Sequence, residues 1–110
     1  PILTDLEYEE FWALFLNRAN KIVGKVKISQ GGVSGTIVDA RIIFKEGVSL
    51  LASGIILCHN HPSETRKPSH DDIVITKQIK QGADLMGMLL LDHVIVCGET
   101  YYSFTDEGKI

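Results

Sequence analysis

The sequence predicts an α/β fold in which a mixed central sheet lies between layers of helix. Three observations support this prediction. Segments with strand and helix character interleave along the 110 residues in the order β β α β α β β. The segment at 54–58 (GIILC) is too short for a helix and apolar on both faces, which is typical of a covered central strand. Repeats and low-complexity segments are absent, which favours a mixed sheet between helices. From the length of 110 residues we expect one domain over residues 1–110.

The first two elements are expected to form a hairpin. Residues 10–16 are a dense apolar and aromatic run, and the polar residues at 17–20 (NRAN) indicate a turn. Residues 21–28 then alternate between a drier and a wetter face, as a second strand does. Three glycines after this strand indicate an irregular connection: Gly31, Gly32 and Gly35.

Helices and strands alternate in the rest of the chain. Asp39 is a suitable N-cap for a helix with a wide apolar side, and this helix is expected to end near Ser53 and Gly54. The central strand follows at once and leads into two histidines. The remaining predicted elements are a second helix over 69–86, a strand over 89–96, a turn around 97–99 and a last strand over 101–104.

Composition narrows the class of function. The formal net charge of −3 argues against a broad phosphate-binding face, so composition gives nucleic acid no support as a partner. Cys58 and Cys97 lie in apolar runs and indicate buried thiols in a reducing compartment, which predicts a cytoplasmic protein. No apolar segment approaches the ~20 residues that a membrane helix needs. The initial Pro1 in place of Met predicts a domain cut from a longer chain.

The most informative motif is His59-Asn-His61-Pro, followed after a polar loop by Ser69-x-x-Asp72. Alternation along a strand puts both histidines on one face, at the carboxyl end of the central strand, where ligands of open α/β sheets gather. Asp72 falls on the apolar side of the second helix, and an inward carboxylate requires a partner. Three protein ligands and an open fourth position are typical of a catalytic zinc ion.

Parts of this motif have simpler interpretations when taken alone. Ser69-x-x-Asp72 is also a helix capping box, and His-x-His can be two polar residues at a strand end. Their joint occurrence favours the metal. The base that a metal-activated water needs is left open by pattern, because alternation puts Glu9 and Glu10 on opposite faces. His93 is expected to be a satisfied core histidine, although a hydrogen bond to the site is an alternative.

The spacing of Glu, His-x-His-Pro and Ser-x-x-Asp resembles the JAMM (MPN-type) metalloprotease motif. The stretches CHNHPS, KPSHDD, LLDHVIV and YYSFTDEG look like the RadC-type JAB domain of bacteria, and the resemblance covers nearly the whole chain. It implies a three-layer α/β/α core similar to that of cytidine deaminases, and one Zn²⁺ on His59, His61 and Asp72. It also implies an oxyanion-stabilising Ser69, and it makes Glu10 the preferred base because the family's acid directly precedes a strand beginning with Phe.

The function implied by this resemblance is zinc-dependent hydrolysis of peptide or isopeptide bonds, with a peptide or protein as substrate and a family label of DNA repair. Two departures stand out: Glu64 replaces a Gly of the pattern, and the helix-hairpin-helix segment that often precedes the domain is missing. A non-catalytic DNA-processing or interaction module with a structural metal is the first alternative. A zinc deaminase is the second, weakened by the lack of a Cys-x-x-Cys pair. No pattern selects an oligomeric state.

Overall fold

A computed structural model of the chain describes residues 8–30, 38–62 and 67–110. The elements within these ranges follow the predicted order β β α β α β β. Their bounds are β1 Glu10–Leu16, β2 Ile22–Gln30, α1 Ala40–Ser49, β3 Gly54–Asn60, α2 His70–Leu85, β4 Leu89–Cys97 and β5 Thr100–Ser103. The α/β class is confirmed. The expectations about Glu64 and about the glycine-rich connection at 31–35 lie outside the described residues.

The strands form one mixed sheet with the spatial order β2-β1-β3-β4-β5. The predicted central position is confirmed, because β3 lies between an antiparallel β1 and a parallel β4. The expected cover on both faces is wrong, because Ile56 and Cys58 on one face are only half-buried. A parallel pair requires a crossover connection, and α2 supplies it. The remaining pairs, β1 with β2 and β4 with β5, are antiparallel. The carboxyl end of β3 therefore lies at the centre of the row of strand ends on that side of the sheet.

Both described helices pack on the same face of this sheet. Ile43 of α1 and Ile79 of α2 belong to one buried cluster with Phe15 of β1 and Leu57 of β3. The elements in the described ranges thus make two layers, which differs from the three layers implied by the resemblance. None of the helices in these ranges has the length and apolar character that crossing a bilayer requires.

Helix α1 ends four residues earlier than its apolar pattern suggests. It stops at Ser49, with Leu50 as C-cap and Leu51 in the left-handed region at φ 50°. Two backbone bonds close it: the Leu51 N–H donates to the Val48 carbonyl, and the Ala52 N–H to the Gly47 carbonyl, the pattern of a Schellman motif. The prediction placed the stop at the next glycine. Gly54 instead begins β3, where the side chain of Leu91 approaches its backbone too closely for a Cβ atom.

Replacing Leu51 with Gly is expected to raise the free energy of unfolding by roughly 0.5–1 kcal/mol, since glycine adopts this backbone conformation without a steric cost. The substitution removes few packing contacts, because Leu51 is 85% exposed. Urea denaturation measures the change. The matched control is Leu51→Ala, which keeps the Cβ atom and should give no comparable gain; equal stabilisation by both variants would contradict the explanation.

Candidate metal centre

The side chains of His59, His61 and Asp72 converge beside the carboxyl end of β3. The Nε2 atom of His59 lies 3.0 Å from Nε2 of His61 and 3.2 Å from Oδ1 of Asp72. Nε2 of His61 lies 3.1 Å from Oδ2 of Asp72. One ligand atom from each residue lies within 4.8 Å of the others. Imidazole nitrogens and a carboxylate oxygen are ligands that zinc and related divalent ions accept, so this group fits a metal.

Strand β3 positions the two histidines. Its extended conformation continues through Asn60, so His59 shares the core-facing side with Leu57 and its ring stacks on Phe11 with centroids 5.2 Å apart. The backbone of His61 continues the pairing with β4, because its N–H donates to the Val96 carbonyl at 2.9 Å. The side chain of His59 is 2% exposed, whereas that of His61 is 11% exposed. The group is therefore anchored in the core and reaches the surface on one side.

The first turn of α2 delivers Asp72 to the histidines. The hydroxyl oxygen of Ser69 accepts the Asp72 N–H at 3.1 Å, and Oδ2 of Asp72 accepts the Ser69 N–H at 2.8 Å. This reciprocal pair is a complete capping box. The same carboxylate faces both imidazoles, so the two interpretations of Ser69-x-x-Asp72 hold together. Ser69 is thus the N-cap that orients a candidate ligand, and its role toward an oxyanion stays a prediction.

Electrostatics favour the ionised form of Asp72. Burial by itself would raise the pKa of this carboxyl group, but the adjacent imidazoles of His59 and His61 and the backbone N–H of Ser69 outweigh it and hold the pKa far below its usual range. A carboxyl group must be deprotonated to bind a metal. Asp72 is already in that state at neutral pH.

Replacing Ser69 with Ala is expected to cost about 1 kcal/mol of stability through the lost cap. It should also lower the affinity for Zn²⁺ several-fold, because the Asp72 carboxylate loses half of the box that holds it. Asp39→Ala is the matched control, since Asp39 caps α1 in the same way by accepting the Arg41 N–H at 3.0 Å. That variant should leave Zn²⁺ affinity unchanged. Equal Zn²⁺ affinity in the two variants would show that the cap does not orient the ligand.

His93 lies directly behind His59. The predicted core histidine is confirmed, because the residue is 0% exposed and both ring nitrogens have partners. Its Nε2 lies 2.8 Å from Nδ1 of His59, and its Nδ1 lies 2.6 Å from the hydroxyl oxygen of Thr76. Burial lowers the pKa of His93 to about 3, so the ring is neutral at pH 7. The alternative contact to the site is present as well.

Glu10 is not brought to the other predicted site residues. Its carboxylate accepts the indole N–H of Trp12 at 3.0 Å and lies 3.6 Å from the Lys27 ammonium. Phe11, the next residue, stacks on His59, so alternation turns Glu10 to the opposite face of the sheet. A strand presents neighbouring residues to opposite faces, so Glu10 faces away from the histidines, and this geometry does not support the preference for Glu10 as the base.

Asn60, the middle residue of His-Asn-His, bridges β3 to the chain entering β1. Its Oδ1 accepts the Glu10 N–H at 2.7 Å, and its Nδ2 donates to the Tyr8 carbonyl at 2.8 Å. The side chain is buried, with 1% of the residue exposed. The peptide groups on both sides of Glu9 are therefore fixed by one amide. Sequence patterns gave no signal for this role, because the middle residue of the motif looked like a spacer between two ligands.

Comparisons with known proteins agree with this geometry. A family model described as a RadC-like JAB domain matches residues 1–109. A UPF0758 protein of Flavobacterium johnsoniae is 51% identical over 108 residues, covering 98% of this chain and 47% of that protein. A UPF0758 protein of Porphyromonas gingivalis is 50% identical over 111 residues, covering 100% and 49%. The chain spans about half the length of the curated relatives it matches. By sequence, the chain belongs to the family of RadC-like JAB domains.

Proposed function

We propose that this chain is a metal-dependent hydrolase of peptide or isopeptide bonds, with one zinc ion held by His59, His61 and Asp72. The observation that carries the proposal is the convergence of these three side chains at a partly open edge of the sheet. A bound zinc ion would acidify a water molecule and polarise the carbonyl group of the substrate. Membership of the family of RadC-like JAB domains also supports the proposal, since JAB-type domains include metalloproteases.

Glu9 is the residue we assign to proton transfer. Phe11 lies opposite His59 in the antiparallel pair of β1 and β3. Glu9 immediately precedes β1 and His61 immediately follows β3. Extending the register by two residues beyond the pair of Phe11 and His59 would bring Glu9 opposite His61. Glu9 also takes the same side of an extended chain as Phe11, which faces the histidines. Its carboxylate would accept the proton of the attacking water and return it to the leaving amine.

Ser69 is assigned to the developing oxyanion. Its hydroxyl oxygen already accepts the Asp72 N–H, which leaves the hydroxyl proton available for donation. A donor placed at the point where negative charge develops lowers the barrier to acyl transfer. The fixed position of Ser69 at the start of α2 supports this assignment, because a preorganised donor needs no reorientation during the reaction.

The geometry favours a catalytic over a structural metal. Structural zinc sites are closed by four protein ligands, whereas catalytic sites keep a position open. The candidate group in the described residues offers three, and the Asp72 side chain is 13% exposed. The group contains no cysteine, which argues against a zinc deaminase. Cys58 and Cys97 are not in disulfides, which fits our proposal of a cytoplasmic location. A peptide or protein is the proposed substrate.

The test begins with protein stripped by a chelator and reloaded with Zn²⁺. We expect one zinc per chain, and zinc-dependent cleavage in a screen of fluorogenic peptides and isopeptide-linked conjugates. Failure to bind zinc, or cleavage that persists in the chelator, would reject the proposal. A salt titration of DNA binding tests the alternative function, a non-catalytic module that interacts with DNA. A steep fall in DNA affinity with rising salt would indicate several phosphate contacts and favour that alternative.

A further inference from the structure

We propose that Thr76 and His93 are positioning residues that fix the tautomer of His59, leaving its Nε2 unprotonated toward the metal. The inference rests on the proposed metal centre and deepens it. A chain of three hydrogen bonds carries it, running from the Asp72 carbonyl through the Thr76 hydroxyl and the His93 ring to Nδ1 of His59. The direction of each bond follows from the number of protons that each group carries.

The Thr76 hydroxyl sets the direction at one end. Its oxygen lies 2.6 Å from the backbone carbonyl of Asp72, one turn earlier on α2. A carbonyl only accepts, so the single hydroxyl proton lies in this bond. The same oxygen lies 2.6 Å from Nδ1 of His93. Because Thr76 has no second proton to donate, it must accept there, and Nδ1 of His93 must carry a hydrogen.

The His93 ring passes this direction to the metal group. A neutral imidazole carries one N–H, so a ring protonated at Nδ1 presents a lone pair at Nε2. That lone pair lies 2.8 Å from Nδ1 of His59 and accepts a hydrogen from it. With its proton on Nδ1, a neutral His59 presents a lone pair at Nε2. This is the atom that faces His61 and Asp72.

Packing holds this series of three hydrogen bonds in place. Thr76 is 3% exposed and His93 is 0% exposed, so water cannot replace either partner. The His93 ring is stacked on Phe104 with centroids 4.8 Å apart and planes 7° from parallel. The series of hydrogen bonds begins at the backbone of one candidate ligand, Asp72 on α2, and ends at the ring of another, His59 on β3. It therefore links the helix and the strand that supply the site.

The decisive variant is Thr76→Val, with Thr76→Ser as its matched control. Valine has the shape of threonine but no oxygen to accept from Nδ1 of His93. We expect His93 to shift its proton to Nε2 and donate to His59, which then carries its own proton on Nε2. His59 would then lose the acceptor that His93 offers to its Nδ1–H, and losing such a partner typically costs a metal ligand 10–100-fold in metal affinity. Serine keeps the hydroxyl and should retain the wild-type affinity within a few-fold.

Two measurements test the proposal, both without substrate. Long-range ¹H–¹⁵N spectra of the imidazoles at pH 8 should show wild-type His93 protonated at Nδ1 and not at Nε2; the reverse would overturn the proposal even if Thr76→Val failed to fold. Competition between the protein and a chromophoric chelator for Zn²⁺ gives the affinities. Unchanged affinity in Thr76→Val, or equal losses in the valine and serine variants, would also overturn it. Wild-type protein that binds no Zn²⁺ would refute the metal centre instead, and the spectra would still report the tautomers.

Discussion

Glu9→Gln is expected to lower the rate of zinc-dependent hydrolysis by about two to four orders of magnitude, which is the usual contribution of a general base. Glutamine has nearly the shape of glutamate but cannot accept and return a proton. Glu9 is not among the three candidate ligands, so the variant should bind as much Zn²⁺ as the wild type. Rates with a cleavable peptide and zinc content per chain, measured on one preparation, separate loss of chemistry from loss of metal.

Glu10→Gln is the matched control for this prediction. The two acids are neighbours, yet the carboxylate of Glu10 is held by Trp12 and Lys27 on the opposite face of the sheet. A glutamine oxygen can still accept the indole N–H, and the ion pair with a half-exposed lysine contributes little. We expect turnover within about twofold of wild type. If Glu10→Gln abolished turnover and Glu9→Gln did not, the assignment from strand register would be refuted and Glu10 would be the base.

The choice between these two acids shows what the sequence can and cannot predict at this site. Alternation establishes that Glu9 and Glu10 face opposite sides of β1. It does not say which side the histidines of another strand occupy, since that depends on how β1 and β3 pair. The stacking of Phe11 on His59 supplies the missing fact. The three candidate ligands were easier to predict from the sequence, because their spacing and residue types form a specific motif.

The contacts of His93 and Asn60 were harder to predict from the sequence for the same reason. The hydrogen bond of His93 to His59 depends on β4 lying parallel and adjacent to β3, where His93 is paired with Leu57. The bridge formed by Asn60 depends on the entry of the chain into β1. Neither contact has a local sequence signal, because each is made across strands. Patterns within one element predicted the elements, and pairing between elements determined the surroundings of the ligands.

The end of α1 illustrates the same limit within one element. The Schellman motif that closes the helix carries a leucine at the left-handed position, where glycine is usual. Apolar periodicity continues past the true end, so the pattern extended the helix to the next glycine. The buried side of α1 is correspondingly narrow, with Ile43 and Gly47 as its buried residues. Strand β3, by contrast, was predicted well because its apolar run is continuous and bounded by Gly54, although the face of Ile56 and Cys58 is only half-buried.

Asp72→Ala is expected to have the second large effect, a loss of Zn²⁺ affinity on the order of a thousandfold or more. This exceeds the 10–100-fold cost of losing an outer partner, because a candidate ligand is removed outright. The variant also loses the carboxylate that accepts the Ser69 N–H, so α2 should lose about 1 kcal/mol of capping. Titration with Zn²⁺ measures the first effect, and urea denaturation in a chelator measures the second.

Asp72→Asn separates these two contributions. The amide oxygen of asparagine can still accept the Ser69 N–H and preserve most of the cap, but it brings no negative charge to the two imidazoles. We therefore expect metal-free stability closer to wild type than in Asp72→Ala, together with a loss of Zn²⁺ affinity that approaches that of the alanine variant. Wild-type affinity in Asp72→Asn would exclude the carboxylate from the ligand set. Asp72 would then be a helix cap that happens to lie beside two histidines, and the hydrolase proposal would lose its third ligand.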